Sequence, residues 1–190
     1  MVENMTNEIN NIKLMRVTKN DLALLMDWRM RPEISKTLFT NPIITMDSQR
    51  KWYEKLKQDK SQIRWIIFYE NIPIGSVYIV DIDLANHRCE SGIFIAEKQF
   101  NSIELYMNVH WNMFEYIFDK LELNRVFAYI MSENTAVIKL SKYMGLDIEG
   151  TLKQHTYKEG VFHDVVIVGI TKQKWNAFKQ KVNILKYYIE

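Results

Sequence analysis

The sequence predicts a mixed α/β domain, in which a mostly antiparallel sheet of about seven strands carries helices on both faces. Runs rich in β-formers alternate with runs of helical periodicity, in the order β-α-α-β-β-β-α-β-α-β-β-α. Three consecutive strands predict an antiparallel meander, and the β-α-β-α unit after them makes the sheet mixed. No repeat, low-complexity segment or linker divides the 190 residues. We therefore expect residues 1–190 to form a single domain.

The first third of the chain is predicted to hold one strand and two helices. The strand covers 12–17 and follows residues 1–11, a polar segment that we expect to be a flexible N-terminus. Thr18 has a carboxylate three residues later, a pattern resembling a capping box, and starts the first helix. Pro32 ends this helix, because proline disfavours a helical residue before it. Asp47 is expected to cap the second helix.

The rest of the chain alternates strands, turns and helices. The helix at 104–119 is apolar on most sides and is expected to be largely buried. Gly145 suits the position that ends the following helix. The segment 172–190 is expected to be a C-terminal helix and tail. The predicted strands cover 63–69, 74–82, 89–96, 125–131, 146–157 and 161–170, and the predicted helices cover 104–119, 134–144 and 172–187.

The composition excludes several classes of function. Lys and Arg number 25 and Asp and Glu 23, a net charge of +2, without the basic excess of nucleic-acid-binding proteins. No apolar run approaches the roughly 18 residues of a membrane span, and residues 1–11 do not resemble a signal peptide. Cys89 is the only cysteine, so neither a disulfide nor a cysteine metal site is expected. We expect a cytoplasmic protein with a buried structural thiol and no metal.

Several segments resemble the GNAT superfamily of N-acetyltransferases. The segment 133–146, ENTAVIKLSKYMGL, has the asparagine that opens one family helix and the glycine and apolar residue that close it. The segment 90–94, ESGIF, is similar to the Glu-x-Gly-aromatic strand of many members, and 147–166 looks like the family's final hairpin. The resemblance covers about 12–175. It implies the GNAT fold and direct transfer of acetyl from acetyl-CoA to a primary amine, without a covalent enzyme intermediate.

The early part of the chain narrows the resemblance. The segment 28–34, WRMRPEI, with 44–47 and Trp52-Tyr53, resembles the branch that acetylates the 4-amino group of UDP-linked amino sugars in pseudaminic acid synthesis. Ribosomal-protein N-acetyltransferases share much of this pattern. The expected acceptor is thus a small nucleotide-linked amine, and no nucleic acid or membrane partner is expected. A ribosomal-protein or small-amine acetyltransferase, a non-catalytic acyl-CoA-binding module and a homodimer are left open.

The resemblance also implies a place for the cofactor. Pantetheine is expected between two splayed strands, 89–96 and 125–131, where a free amide near Phe94 or Ile95 polarises the thioester carbonyl. The pyrophosphate is expected at the turn that begins the next helix, because bare N–H groups there bind anions. This turn lacks the family's glycines, and Glu104 adds negative charge, so binding is expected to be weaker or shifted. The candidate contacts are Phe94, Ile95, Gln99, Asn101, Ser102, Ile103, Glu104 and Asn134.

Two residues are candidates for catalysis. Glu90 is the candidate base that receives a proton from the amine, and an ion pair with Arg88 or another cation is the alternative. Ser141 stands where many family members have a tyrosine that protonates the leaving thiolate. It is a poor acid, and a small packed residue is the alternative. Asn134 is either a cofactor contact or a plain helix cap.

Four residues are candidates for acceptor binding. Arg29 follows three apolar residues at helical spacing, so it belongs to the apolar face of its helix. Such an arginine either satisfies carbonyls at the helix end or binds a substrate phosphate with its planar fork. Arg31, His87 and Tyr157 are further candidates for the same cleft.

Overall fold

The computed structural model of the protein describes residues 12–41, 43–180 and 188–189. The described residues confirm the predicted order of elements and add a short helix, α2, and a two-residue strand, β8. The strands are β1 (Ile12–Arg16), β2 (Ile63–Tyr69), β3 (Ile72–Asp83), β4 (Arg88–Ile95), β5 (Arg125–Met131), β6 (Asp147–Lys158), β7 (Val161–Thr171) and β8 (Tyr188–Ile189). The helices are α1 (Leu22–Met30), α2 (Pro32–Ser35), α3 (Met46–Gln58), α4 (Ile103–Glu115), α5 (Thr135–Tyr143) and α6 (Lys172–Lys179).

All described strands join one sheet in the order β6-β7-β5-β4-β3-β2-β1-β8. The pairs β4–β5 and β1–β8 are parallel, and the other neighbours are antiparallel. The predicted mixed, mostly antiparallel sheet is therefore confirmed. Glu70 and Asn71 form a tight turn with φ of 47° and 69°, both left-handed. Because this turn needs only two residues, β3 starts at Ile72, two residues earlier than predicted.

The pairing of β4 with β5 stops halfway along both strands. Three residue pairs join them, and the last pairs Glu90 with Phe127. Beyond that pair β4 continues to Ile95 and β5 to Met131, and no further residues of these two fully described strands pair with each other. The two strands therefore diverge and leave a gap in the middle of the sheet.

Two cores of different size cover the two faces of the sheet. The larger core lies under α4, α5 and α6, where Phe114 packs edge-on against Trp175 with ring centroids 5.5 Å apart. The smaller core lies under α1 and α3 and is centred on the fully buried Trp28, which meets Phe94 at 6.1 Å. Helix α4 is buried along most of its length, as predicted, and continues into a π-helical turn at Tyr116–Lys120.

The cap of α3 is two residues earlier than predicted. Thr45 has the extended backbone of an N-cap, and its hydroxyl accepts the Ser48 N–H at 3.2 Å. The Ser48 hydroxyl accepts the Thr45 N–H in return, at 3.0 Å. Asp47 lies inside the helix and pairs with Lys51 at 2.7 Å. The prediction of Asp47 as the cap was therefore wrong.

Parts of the chain ends lie outside the described residues. The predicted flexible segment 1–11 is one of them, and so is 181–187, the second half of the predicted C-terminal helix. The described part of that helix is α6, which Thr171 caps by accepting the Lys174 N–H at 3.3 Å. No helix within the described ranges combines the length and apolar character that a membrane crossing requires.

Candidate active site

The gap between β4 and β5 exposes backbone amides of β4. The Ala96 N–H bonds to the Ile74 carbonyl of β3 at 2.8 Å. Neighbouring residues of a strand direct their amides to opposite edges, so the Phe94 amide also faces β3, where Phe94 pairs with Ser76. The amides of Ile93 and Ile95 therefore face the gap. Of the two predicted positions Ile95 is suitable and Phe94 is not, whereas Ile93 was not predicted.

A cavity of about 1360 Å³ runs through this gap. On one face of the sheet it is lined by Met107 of α4 and Leu140 of α5. On the other face it is lined by Tyr78 of β3 and by Thr37 and Phe39, which follow α2. Since residues of both faces line one cavity, molecules on opposite sides of the sheet can meet in the gap.

The turn before α4 lies at the mouth of the cavity. Ser102 caps α4 by accepting the Leu105 N–H at 3.1 Å. The amides of Ile103 and Glu104 are the first two of the helix and have no intrahelical partner. Both residues line the cavity together with Asn101 and Ser102, whereas the exposed Gln99 does not.

The missing glycines do not strain this turn. Residues 98–104 are not among the described positions with a left-handed φ, so their backbone does not require glycine. The backbone amides of Ile103 and Glu104 remain available for a pyrophosphate at a helix N-terminus. The Glu104 carboxylate is exposed at the same place. The departure from the family pattern therefore concerns charge and side-chain bulk rather than backbone conformation.

Helix α5 brings two predicted residues to the cavity. Asn134 caps this helix by accepting the Val137 N–H at 3.4 Å, and it also lines the cavity. The cap and the cofactor contact are thus compatible. Ser141 is buried and lines the cavity too, but its hydroxyl donates to the Val137 carbonyl at 2.9 Å. Because that hydroxyl has one proton, Ser141 does not offer it to a leaving thiolate in this arrangement.

Glu90 has the properties of a base that works near neutral pH. Burial and, to a smaller extent, the charge of Asp81 raise the pKa of Glu90 to about 7, against the opposing effect of Arg64. The predicted alternative, an ion pair with Arg88, is not formed, because Arg88 pairs with Asp83 at 3.5 Å. A carboxyl group that is half-ionised near pH 7 suits proton transfer at that pH.

A charged and aromatic row crosses the sheet beside Glu90. Arg64 of β2 pairs in register with Tyr78 of β3, and Tyr78 pairs with Gly92 of β4. The Arg64 guanidinium lies 4.7 Å from the Tyr78 ring centroid and 5.6 Å from that of Trp52. Burial lowers the pKa of Arg64, and Arg29 of α1 is close enough to lower it further. The predicted inward orientation of Arg29 thus brings it to this row.

Within the described ranges, neither Arg29 nor Arg64 forms an ion pair with a carboxylate, and the Arg64 Nε donates to the Gln62 side-chain oxygen at 3.1 Å. Arg31, Arg88 and Arg125, by contrast, are each paired with a carboxylate. The row therefore presents two guanidinium groups whose charge is not neutralised by a contacting side chain.

None of the four acceptor candidates lines the cavity, and neither does Glu90; Arg29 lies near the row described above, and the other three lie elsewhere. Arg31 binds Asp27 at 2.8 Å and Glu97 at 3.1 Å, and so ties the end of α1 to the end of β4. His87 is exposed at the paired end of β4, where its carbonyl accepts two amides, one just before β5 and one from its first residue. Tyr157 is 63% exposed near the end of β6. The structure does not bring these three side chains together with Glu90.

Sequence reasoning missed two residues of α4. Tyr106 and His110 both line the cavity, with ring centroids 4.8 Å apart. Burial raises the pKa of Tyr106 and lowers the pKa of His110 to about 4, so both are neutral at pH 7. Their spacing of four residues, which places them on one helix face, was the available signal.

Cys89 is buried, as predicted, and takes no part in this site. Burial raises the pKa of its thiol to about 12, which leaves it unreactive at neutral pH. No group of three or more His, Cys, Asp or Glu side chains suited to a metal ion occurs in the described part of the chain.

Comparison with known proteins agrees with this geometry. The chain matches the family model described as Acetyltransferase (GNAT) domain over residues 11–147. It is 26% identical to Acetyltransferase PseH of Campylobacter jejuni over 132 residues, which cover 68% of this chain and 80% of that protein. It is 26% identical to the putative ribosomal N-acetyltransferase YdaF of Bacillus subtilis over 113 residues, 60% of this chain and 61% of that protein.

Solved structures share the fold. Spermidine N-acetyltransferase from Vibrio cholerae, in complex with CoA and spermine, superposes with a TM-score of 0.80 at 21% identity, over 87% of this chain and 98% of that one. The match to the family model includes β1 to β5 and the turn that begins α4, the parts that form the gap and its mouth. The chain belongs to the GNAT acetyltransferase family and is an N-acetyltransferase that uses acetyl-CoA.

Proposed function

We propose that the acceptor is the primary amine of a nucleotide-linked amino sugar, and specifically the 4-amino group of a UDP-linked sugar. The observation that carries the proposal is a pair of guanidinium groups, Arg29 and Arg64, that form no ion pair with a carboxylate among the described residues and lie near Glu90 and Tyr78. Arginine binds phosphate oxygens through two parallel hydrogen bonds, and its charge repels a polycation. The resemblance of 28–34 to the UDP-amino-sugar branch supports the same acceptor.

The residues at the gap have distinct roles in this reaction. Acetyl-CoA supplies the acetyl group as a thioester. The amides of Ile103 and Glu104 bind its pyrophosphate, and the amides of Ile93 and Ile95 face the thioester arm. Glu90 takes the proton of the amine. Arg29 binds the nucleotide phosphates on the same side of the sheet.

A small cationic amine is the second candidate acceptor. Asp81 is close enough to Glu90 to raise the pKa of Glu90, so one further carboxylate lies near the reacting amine. Spermidine tests this candidate, because its second and third ammonium groups would need such carboxylates. The amino group at the N-terminus of a protein is a further alternative acceptor.

Acceptor kinetics of two matched arginine variants test the proposal. Arg29→Gln removes one guanidinium from the row, whereas Arg50→Gln removes an exposed one from α3. We expect Arg29→Gln to raise the KM for the UDP-linked 4-amino sugar about 10-fold, the loss of roughly 1.4 kcal/mol of charged hydrogen bonding. Arg50→Gln should leave that KM unchanged, and neither variant should raise the KM for spermidine.

Two results would contradict the proposal. One is wild-type turnover of spermidine without turnover of the UDP-linked sugar. The other is an Arg29→Gln variant with an unchanged KM for the sugar. Titration of acetyl-CoA by calorimetry addresses the non-catalytic alternative, which requires binding without turnover of any amine.

A further inference from the structure

The reaction leaves one proton without an assigned donor. When the carbon–sulfur bond of the thioester breaks, the CoA sulfur must receive a proton. Ser141, at the family position for this donor, donates its hydroxyl hydrogen to a backbone carbonyl. In the part of the chain that the structure describes, four tyrosines line the cavity: Tyr78, Tyr106, Tyr129 and Tyr143. Each has a phenol, which is a stronger acid than a serine hydroxyl.

Tyr78 is the tyrosine whose hydroxyl lies against the wall of the gap. A Cβ atom built on Gly92 would come within 2.3 Å of both Cζ and Oη of Tyr78. Only the absence of a side chain at position 92 therefore allows the phenol to lie on the β4 backbone. Gly92 is two residues past Glu90, where the pairing of β4 with β5 ends. The Tyr78 hydroxyl thus lies at the narrow end of the gap, beside the candidate base.

The narrow end is also where the sulfur is expected. The pyrophosphate binds at the mouth, beside Ile103 and Glu104, so the thioester at the other end of the arm reaches toward the narrow end. Gly92 lies three residues before Ile95, a distance of about 10 Å along the strand. Tyr106 is in the first turn of α4, close to the mouth, and is less suitable for this reason.

The other two tyrosines are also less suitable. Tyr143 is 70% exposed at the end of α5. Tyr129 stacks on His155 with ring centroids 6.3 Å apart and lies past the point where β5 leaves β4. Neither reaches the position that Gly92 leaves open for Tyr78.

The surroundings of Tyr78 suit a proton donor. The Arg64 guanidinium lies over its ring at 4.7 Å and stabilises the phenolate that remains after proton donation. Burial raises the pKa of Tyr78, and the charge of Glu90 adds to this, so the phenol is protonated at neutral pH. Arg29 on α1 lowers the pKa of Tyr78, and the charge of Tyr78 in turn raises the pKa of Tyr106 on α4.

We propose that Tyr78 is the catalytic acid that protonates the CoA sulfur. The amine nitrogen forms a bond to the acetyl carbonyl carbon, and Glu90 receives the proton that the nitrogen loses. The carbon–sulfur bond breaks, and its electron pair stays on sulfur, which accepts the proton from Tyr78 Oη. The phenolate then regains a proton from protonated Glu90 or from water. The products are the acetamide and CoA with a free thiol.

Paired tyrosine variants test the assignment. Tyr78→Phe removes the phenolic hydroxyl and keeps the ring. Tyr106→Phe makes the same change in α4, at a tyrosine that also lines the cavity. We expect Tyr78→Phe to lower kcat about 100-fold or more, with an unchanged CoA dissociation constant. Tyr106→Phe should lower kcat less than 5-fold, that is by less than about 1 kcal/mol. A kcat for Tyr78→Phe within 5-fold of wild type, or a larger loss for Tyr106→Phe, would overturn the proposal.

A change of leaving group separates proton donation from packing. The acetyl thioester of an aryl thiol releases a thiolate that is stable without a proton. The defect of Tyr78→Phe should fall below about 5-fold with this donor if the phenol supplies the proton. A defect of equal size with both donors would assign Tyr78 a packing role and overturn the proposal.

Two glycine variants provide an independent measurement. Gly92→Ala places a methyl group against the Tyr78 phenol and should displace it, so kcat should fall at least 10-fold, the equivalent of about 1.4 kcal/mol. Gly150→Ala is the matched control, because a Cβ there meets no atom within 4 Å, and it should retain wild-type activity. Equal kcat for both variants would contradict the placement of Tyr78.

These tests rest on the acetyltransferase activity and not on the choice of acceptor. They use whichever amine the wild-type protein acetylates, the UDP-linked sugar or spermidine. Turnover of spermidine alone would thus refute the proposed acceptor, while the ratio of Tyr78→Phe to wild type would still decide the role of Tyr78.

Discussion

The two faces of the sheet differ in what they present to the gap. On the face under α4 and α5 the cavity is lined mainly by apolar side chains and by neutral groups such as Tyr106 and His110. On the face under α1 and α3 the cavity is lined by Tyr78, and the charges of Glu90, Arg64 and Arg29 lie close enough to act on its phenol. The first face resembles a binding slot for a long flexible arm, and the second has the charges that a polar acceptor requires.

This difference teaches where specificity is located. In the proposed arrangement the cofactor is held by backbone amides and a helix N-terminus, features that depend on fold and tolerate many side chains. The proposed acceptor site consists of individual ionisable side chains, whose replacement is expected to change the accepted substrate. Variants on the two faces should therefore affect different kinetic constants, and three predictions test that separation.

The largest effect is expected from Glu90→Gln. Removing the base should lower kcat/KM by about 100-fold or more, because general-base catalysis contributes factors of this size. A base acts when deprotonated, so the wild-type rate should rise as pH increases through about 7, and the variant should lose this rise. Initial rates between pH 5.5 and 8.5 measure both. If Glu90→Gln kept the pH dependence of the wild-type rate, or lost much of its affinity for CoA, the proposed division of roles between the two faces would be contradicted.

An intermediate effect is expected from Lys158→Met, which changes how the segment after α2 is held over the proposed acceptor side of the sheet. Lys158 is buried, and its ammonium group donates to the carbonyls of Ser35 at 2.6 Å and Leu38 at 2.8 Å. These bonds fix the segment after α2 to the hairpin of β6 and β7. Losing them should lower the free energy of unfolding by about 2 kcal/mol and raise the acceptor KM several-fold.

Lys153→Met is the control for this prediction. Lys153 is 78% exposed and pairs with Asp164 on the surface, so its loss should change stability by less than about 1 kcal/mol. Urea unfolding and acceptor KM values compare the two variants. Equal destabilisation by both would show that the buried lysine has no special role in holding the segment.

The smallest effect is expected from Glu104→Gln on the cofactor side. Removing a carboxylate beside the proposed pyrophosphate position should tighten CoA binding about 2- to 3-fold, which corresponds to about 0.5 kcal/mol for an exposed charge. Acceptor KM should not change. Glu54→Gln, an exposed carboxylate on α3, is the control and should have no effect on CoA. Calorimetric titration with CoA measures both, and weaker binding in Glu104→Gln would exclude the proposed pyrophosphate position.

The order of strands and helices followed from the sequence because periodicity and turn residues are local signals. The gap between β4 and β5 was expected only through the family resemblance, and the short β4–β5 register confirms it. The turn predicted to bind the pyrophosphate does line the cavity, although Gln99 does not, and its role in binding the cofactor stays a prediction. Contacts that follow from backbone position were thus more predictable than contacts made by side chains.

The acceptor side could not be read from the sequence, because it depends on strand register. The hairpin at Glu70 and Asn71 sets the register that pairs Tyr78 with Arg64, and the irregular β3–β4 pairing between Val80 and Asp83 sets the register that pairs Tyr78 with Gly92. A shift of one residue would direct Tyr78 to the opposite face. Arg31 was a candidate on sequence grounds, but its two carboxylate partners come from parts of the chain that only the fold brings near.

The passage through the sheet has a consequence for the order of events. If donor and acceptor approach the reacting atoms from opposite sides, as proposed, neither molecule blocks the path of the other. Both can then be present before the chemistry begins. An enzyme of this shape has no need to store the acetyl group on a side chain between two half-reactions.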